Sequence, residues 1–186
     1  MIFTPVVEVP GAWTIDPERV SDDRGWFART WALDELRSHG LDTTVVQISS
    51  SFNPRAGTLR GMHLQRAPHA EVKLIRCTRG AAFDVMVDLR RGTPGFGRWA
   101  GFELDPESGR AVYLPEGVAH GFLTLAPDTE LSYQISAAYQ PDAAIGFRWD
   151  DPEVAIAWPA EPSLLSDRDR GLPNLSGLTA LSEEIR

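Results

Sequence analysis

Apolar and polar residues alternate in short runs along this chain, and glycine or proline interrupts the runs at intervals of roughly ten residues. Side chains on a strand point alternately to opposite faces, so a run that is apolar at every second position reads as a half-buried β-strand. This pattern predicts strands over residues 45–50, 58–65, 72–78, 81–89, 99–104, 111–114, 121–125 and 130–135, with a ninth over 145–149. Arg79-Gly80 reads as a tight turn, and 92–97 and 105–109 as looser connections. One helix is expected, over 30–39, with Thr30 as N-cap, Leu33 and Leu36 on one face and Gly40 as the stop. Nine short strands and little helix suit an all-β jelly-roll barrel with a few short peripheral helices.

The same alternation sorts the polar residues by face. In the 81–89 strand Phe83, Val85, Val87 and Leu89 share one side, which leaves Asp84, Met86 and Asp88 on the other. Leu131, Tyr133 and Ile135 share a side; Lys73 alternates with Ile75 and Cys77; His63 alternates with Leu59, Gly61 and Gln65, and Arg60 points away from it. Ionisable groups that share faces with core residues in several strands converge on a barrel interior, where small ligands bind.

At 186 residues with 42% hydrophobic residues, the chain is read as one domain, 1–186, with a polar, turn-rich segment over 160–186 wrapping the barrel. A formal net charge of −8 argues against a nucleic-acid partner but leaves room for a small anionic ligand held by a few arginines. No run approaches the roughly 20 apolar residues of a spanning helix, and the start carries no basic region followed by an apolar one, so a cytoplasmic protein with no membrane partner is expected. Of the 18 basic residues only Lys73 is a lysine. A compact ammonium differs from a broad planar guanidinium, so position 73 is a candidate for chemistry that arginine cannot supply. Cys77, the only cysteine, lies in an apolar run and reads as a buried core thiol rather than a nucleophile.

The run from Leu114 to Phe122 contains Pro115, Gly117 and His120 in the P-x-G-x-x-H pattern of the second box of the cupin superfamily, in which a Pro-Gly turn delivers a histidine into the barrel mouth. The first box of that pattern carries a His-x-His pair, whereas Gly61-Met62-His63-Leu64-Gln65 has one histidine and the nearby His69 sits in a turn. A metal needs several ligands converging at fixed distances, so no metal and no cofactor is expected. Further boxes follow in order: Asp22-Asp23-Arg24-Gly25, Leu59-Arg60-Gly61-Met62-His63, Lys73-Leu74-Ile75-Arg76-Cys77, Phe83-Asp84-Val85, Asp88-Leu89-Arg90, Phe96-Gly97-Arg98-Trp99, Pro115 to Leu123, and Asp150-Asp151-Pro152. From about Val20 to Asp169 the chain resembles the dTDP-4-dehydrorhamnose 3,5-epimerase family, metal-free cupins acting on a 4-keto-6-deoxyhexose linked to a nucleoside diphosphate.

The resemblance implies a cupin-type jelly roll, known also as a double-stranded β-helix, and an epimerase that inverts carbons next to a ketone. Such inversion needs a base on one face, an acid on the other, and a cation near the oxygen that becomes an enolate. By resemblance His63 is the base, oriented by Asp169; Tyr133 is the acid; Lys73 is the donor to the enolate oxygen, with Asp84 holding its ammonium. Arg60 and Arg24 are expected at the diphosphate, His120 and Gln47 as further polar contacts, and Tyr139 stacked on the nucleobase. The family also implies a homodimer, with the segment 1–20, apolar from Val6 to Trp13, crossing between subunits.

Three positions depart from the family pattern. Val20 stands where an aromatic residue is usual, Arg29 where a glutamate is usual and Ser49 where an asparagine is frequent. The first two are expected to serve the nucleobase, so the nucleotide, or the keto sugar, could differ from the family's usual one. The leading expectation is conversion of dTDP-4-dehydro-6-deoxy-D-glucose to dTDP-4-dehydro-L-rhamnose. The alternatives are a single-carbon epimerase on another nucleotide-linked 4-keto sugar, a metal-dependent cupin oxygenase or isomerase, and a sugar-nucleotide isomerase or binding cupin without epimerase activity.

Overall fold

The computed structural model describes residues 1–181 and contains thirteen strands and three short helices among them. The end of the expected wrap, 182–186, lies outside the described residues. In chain order the strands are β1 (Ile2–Pro5), β2 (Trp13–Asp16), β3 (Arg19–Asp22), β4 (Gly25–Ala28), β5 (Gln47–Asn53), β6 (Leu59–Gln65), β7 (Lys73–Arg79), β8 (Ala82–Asp88), β9 (Trp99–Leu104), β10 (Ala111–Leu114), β11 (Val118–Thr124), β12 (Thr129–Ile135) and β13 (Ala144–Gly146). A six-stranded sheet runs β1-β2-β10-β7-β12-β5, a five-stranded sheet runs β13-β6-β11-β8-β9, and β3-β4 forms a separate hairpin. All strand pairings are antiparallel, as in a cupin-type jelly roll.

The face assignments made from alternation hold in β7, β8 and β12. Ile75, Cys77, Val112, Leu114 and Leu131 from one sheet meet Ala82, Met86, Leu104, Val118 and Phe122 from the other in a continuous core. Val85, Val87 and Leu89 point the opposite way, where they pack with Phe147, Val154, Leu175 and Leu178 from the C-terminal third of the chain. That arrangement is why 81–89 reads as nearly continuous apolar sequence: both faces of β8 are covered.

The N-terminal third departs from the alternation-based expectation. Strands β1 to β4, of four residues each, are absent from the set of strands that alternation predicts. The segment 6–13 packs into the main core, where Val6, Val9 and Ala12 are buried between β1 and β2. The helix α1 is shorter than expected, Leu33–Ser38, and its N-cap is Ala32 with no side-chain cap bond, so Thr30 does not cap it. Leu36 holds it, buried at 2% exposure in a cluster with Ile15, Leu41, Val72 and Tyr113. Tertiary burial, not capping, fixes so short a helix.

Candidate active site

Between the two sheets a cavity of about 430 Å³ opens to solvent, and β5, β6, β7, β11 and β12 all line it. Gln47, Ser49, Arg60, His63, Lys73, His120, Tyr133, Tyr139 and Asp169 all reach it. A larger surface hollow of about 610 Å³ around Trp149 and Trp158 has neither a base of histidine type nor a cation in its lining.

His63 is placed by β6 and partnered from far away in sequence. The C-terminal wrap is pinned to the start of β6 by a parallel bridge between Thr58 and Leu164, and Leu59 N–H donates to Leu164 C=O at 2.9 Å. Helix α2 (Asp167–Arg170) follows at once, with Ser166 as N-cap accepting from Asp169 N–H at 3.0 Å. This delivers Asp169 to His63, whose Nε2 lies 2.6 Å from Asp169 Oδ1. Burial by itself pushes the pKa of Asp169 up, but the bond and charge of His63, the Ser166 side chain and the Gly61 N–H together hold its carboxyl below the ordinary value. With Nε2 engaged by a carboxylate, Nδ1 is the nitrogen left to accept a proton.

Arg60 reaches the same cavity as His63, against the expectation that it points away. The reason is a bulge. Along β11, His120 pairs with His63 and Phe122 with Arg60, so two steps on β11 correspond to three on β6. The extra residue restores both side chains to one face. Gly61 permits it, with φ +134 and the Gly121 Cα only 2.5 Å from where a Cβ would stand.

Tyr133 comes from β12, its hydroxyl 3.2 Å from Ser51 Oγ and its ring edge-on to His120 at 5.9 Å between centroids. Burial raises the phenol's pKa, with the Ser51 bond and the Arg60 charge only partly opposing. It therefore stays protonated at neutral pH, as a proton donor must.

Lys73 is nearly buried, and its ammonium is held by a carboxylate, but not the expected one. Lys73 Nζ lies 2.5 Å from Glu71 Oε1. Asp84 is fully buried and instead has its Oδ2 2.7 Å from His120 Nε2, while the Lys73 charge acts on it from farther off. Asp84 is opposite Phe122 on β11 and His120 is opposite Met86, so His120 is the diagonal neighbour of Asp84 on the inward face. His120 is thus a buried member of an aspartate pair, at 6% exposure, rather than a rim group.

The hairpin residues are elsewhere. Arg24 is 89% exposed and bonded to Asp22 within its own turn; Arg29 pairs with Glu35 at 3.0 Å; Val20 is exposed. None of them lines the cavity. Glu71, Ser51 and Arg168 do line it and were missed from the sequence. Glu71 and Ser51 were legible, since Glu71 continues the Lys73-Ile75-Cys77 face and Ser51 the Gln47-Ser49 face. Arg168 gave no signal, because its place depends on the α2 turn. Cys77 is buried and its thiol is pushed up to about 11 by burial, which fits a core role. His69 is exposed, and no group of three or more His, Cys, Asp or Glu is arranged to hold a metal among the described residues.

A sequence model of the dTDP-4-dehydrorhamnose 3,5-epimerases matches residues 6–177. The chain belongs to the dTDP-4-dehydrorhamnose 3,5-epimerase family. It is 42% identical over 173 residues to a dTDP-4-dehydrorhamnose 3,5-epimerase of Sinorhizobium fredii, covering 92% of this chain and 89% of that one. It is 41% identical over 163 residues to a dTDP-4-dehydrorhamnose 3-epimerase of Streptomyces niveus, covering 87% and 78%. The solved dTDP-6-deoxy-D-glucose-3,5-epimerase of Legionella pneumophila, in complex with dTDP-4-keto-L-rhamnose, superposes with a TM-score of 0.89 at 31% identity, covering 97% of this chain and 95% of that one. As a member of this family the chain is a carbohydrate epimerase of the cupin fold.

Proposed function

We propose that this epimerase converts dTDP-4-dehydro-6-deoxy-D-glucose to dTDP-4-dehydro-L-rhamnose by inverting C3 and C5 of the sugar. The observation that carries the reading is the gathering of His63 with Asp169, Lys73 with Glu71, and a protonated Tyr133 in one cavity. The ketone at C4 acidifies the hydrogens on both neighbouring carbons. His63 Nδ1 takes one of these protons, the C–H electron pair passes into a C=C bond, and the C4 oxygen becomes an enolate. Lys73 meets that oxygen with a localised positive charge; losing such a donor costs about 2.7 to 4 kcal/mol. Tyr133 then gives its proton to the carbon from the other face, the carbonyl re-forms, and solvent restores the proton to tyrosinate and removes the one on His63.

Arg60 is the diphosphate contact in this reading, with Gln47 and the newly located Arg168 as further polar groups, and the 54%-exposed Tyr139 as the ring at the nucleobase. A second reading, inversion at one carbon only, is favoured by the near-equal identity to the Streptomyces niveus 3-epimerase. NMR of dTDP-4-keto-6-deoxyglucose in D₂O with the enzyme decides between them: deuterium at C3 and C5 supports double epimerisation, at one carbon the single reaction. Deuterium at neither on this or other nucleotide-linked 4-keto sugars overturns the catalytic reading.

The chain is further read as a cytoplasmic homodimer; no helix among the described residues is long and apolar enough to cross a membrane. Trp26 and Phe27 on the β3-β4 hairpin are 53% and 74% exposed, and Ile48 and Phe52 on the edge strand β5 are exposed as well. Pairing of two copies would cover such rings and would be the means by which Arg24 and Arg29 meet a nucleotide. Light scattering of Trp26→Glu with Phe27→Glu tests it: a dimeric mass that halves in the variant supports the assembly, and a monomeric parent overturns it.

A further inference from the structure

Arg60 differs from the ion-paired arginines of this protein in what holds it. Arg24, Arg29, Arg79, Arg90, Arg110 and Arg148 each donate to an aspartate or glutamate. Arg60 forms no salt bridge among the described residues; its Nε donates instead to the side-chain amide oxygen of Asn53 at 2.9 Å. Asn53 is the last residue of β5, wholly buried, and its Nδ2 donates to Thr129 C=O at 3.2 Å and Ser51 C=O at 3.4 Å. Both ends of the amide are therefore occupied, and its orientation is fixed: nitrogen toward two carbonyls, oxygen toward Arg60.

A guanidinium held at Nε by a neutral acceptor keeps both terminal nitrogens and its whole charge for something else. A carboxylate in the same place would orient it equally well but would cancel much of that charge where it is needed. We propose that Asn53 is a positioning residue for the anionic end of the substrate, whose neutral amide aims Arg60 into the cavity while leaving its charge uncompensated for the diphosphate. The inference rests on the reading of Arg60 as the diphosphate contact. It predicts that position 53 sets affinity for phosphates and has no hold on the nucleoside.

The test is calorimetric binding of dTDP and of thymidine to the full chain, with Arg60→Ala, Asn53→Ala, Asn53→Asp and the double variant Arg60→Ala/Asn53→Ala. Asn53→Ala, which releases Arg60, should weaken dTDP about tenfold, and Asn53→Asp, which keeps the acceptor but adds a negative charge, about a hundredfold. Thymidine should change less than about twofold in both, and Asn53→Ala should add nothing in the Arg60→Ala background, the signature of a residue acting through another. Wild-type dTDP affinity in Asn53→Asp, equal losses for dTDP and thymidine, or an undiminished Asn53 effect without Arg60 each overturns the proposal. An Arg60→Ala protein that binds dTDP normally overturns instead the reading on which it rests. Should the alanine variant not fold, Asn53→Ser, too short to reach Nε, takes its place in the same cycle with the same expectations.

Discussion

His63 and His120 are register partners on the neighbouring strands β6 and β11, and each places Nε2 within 2.7 Å of an aspartate oxygen. Their surroundings separate them. The His63 side chain is 37% exposed and its partner Asp169 is carried in by the C-terminal wrap, where a serine and a backbone N–H also support the carboxylate. Asp84 is 0% exposed, and desolvation pushes its pKa up, with the charge and bond of His120 and the charge of Lys73 opposing. Its Oδ1 accepts no hydrogen bond from the described residues. One pair is a supported anion beside an imidazole that substrate can reach; the other is a buried acid-imidazole contact under strain of desolvation. Two identical residue pairs thus have different chemistry, and in the proposed mechanism only the first takes a proton from carbon.

The largest expected effect is at the open pair. His63→Ala should reduce wash-in of deuterium next to the ketone by about 10⁴-fold, to background, because it removes the base. His120→Ala should keep measurable exchange. Equal losses in the two variants would erase the distinction between the pairs. Next comes Lys73→Arg, which keeps the charge but spreads it over a plane. Steady-state kinetics should show kcat reduced about 10² to 10³-fold, the range for a misplaced oxyanion donor. Full activity would refute the account of why this chain keeps one lysine. Asp169→Asn should cost less, about 10 to 10²-fold in kcat, since it leaves the base in place but unoriented. The parent's activity should persist below the ordinary carboxylate range on its acid side as far as Asp169 is concerned, because that group stays ionised to lower pH; the test is a pH-rate profile of parent and variant.

The barrel and its interior faces were legible in the sequence because alternation over seven residues leaves little freedom: Asp84, Met86, Lys73, Ile75, Cys77 and Tyr133 all face inward as expected. What resisted was everything set by a break in period or by distant chain. A two-residue repeat sends Arg60 outward because it does not reveal the bulge at Gly61. Alternation shows that Asp84 and Lys73 converge on the interior, while the pairing among the inward groups depends on ångström-scale choices between Glu71 and Asp84. The pairing of Asp169 with His63 rested on resemblance, since 106 residues separate them. Arg24 and Arg29 followed the family motif into a pocket that their own hairpin does not reach in the single chain.

The smallest effect is the sharpest on the comparison, because its sign reverses between the two aspartates. For Asp169 the folded pKa lies below the unfolded value of 3.8, so its contribution to stability is present above that value and is lost as pH falls through the folded pKa. Asp169→Asn should therefore lower Tm at pH 7. For Asp84 the folded pKa is raised above 3.8, so the native state holds its proton more tightly than the unfolded chain and stability declines as pH rises across that interval. Asparagine does not titrate and still accepts from His120 Nε2, so Asp84→Asn should gain in Tm on the parent as pH rises from about 4 to 8. Thermal melts of both variants across that range give the answer. Parallel curves would mean that the buried carboxylate is stabilised as well as the open one, and the difference between the pairs would then have to lie in access to substrate alone.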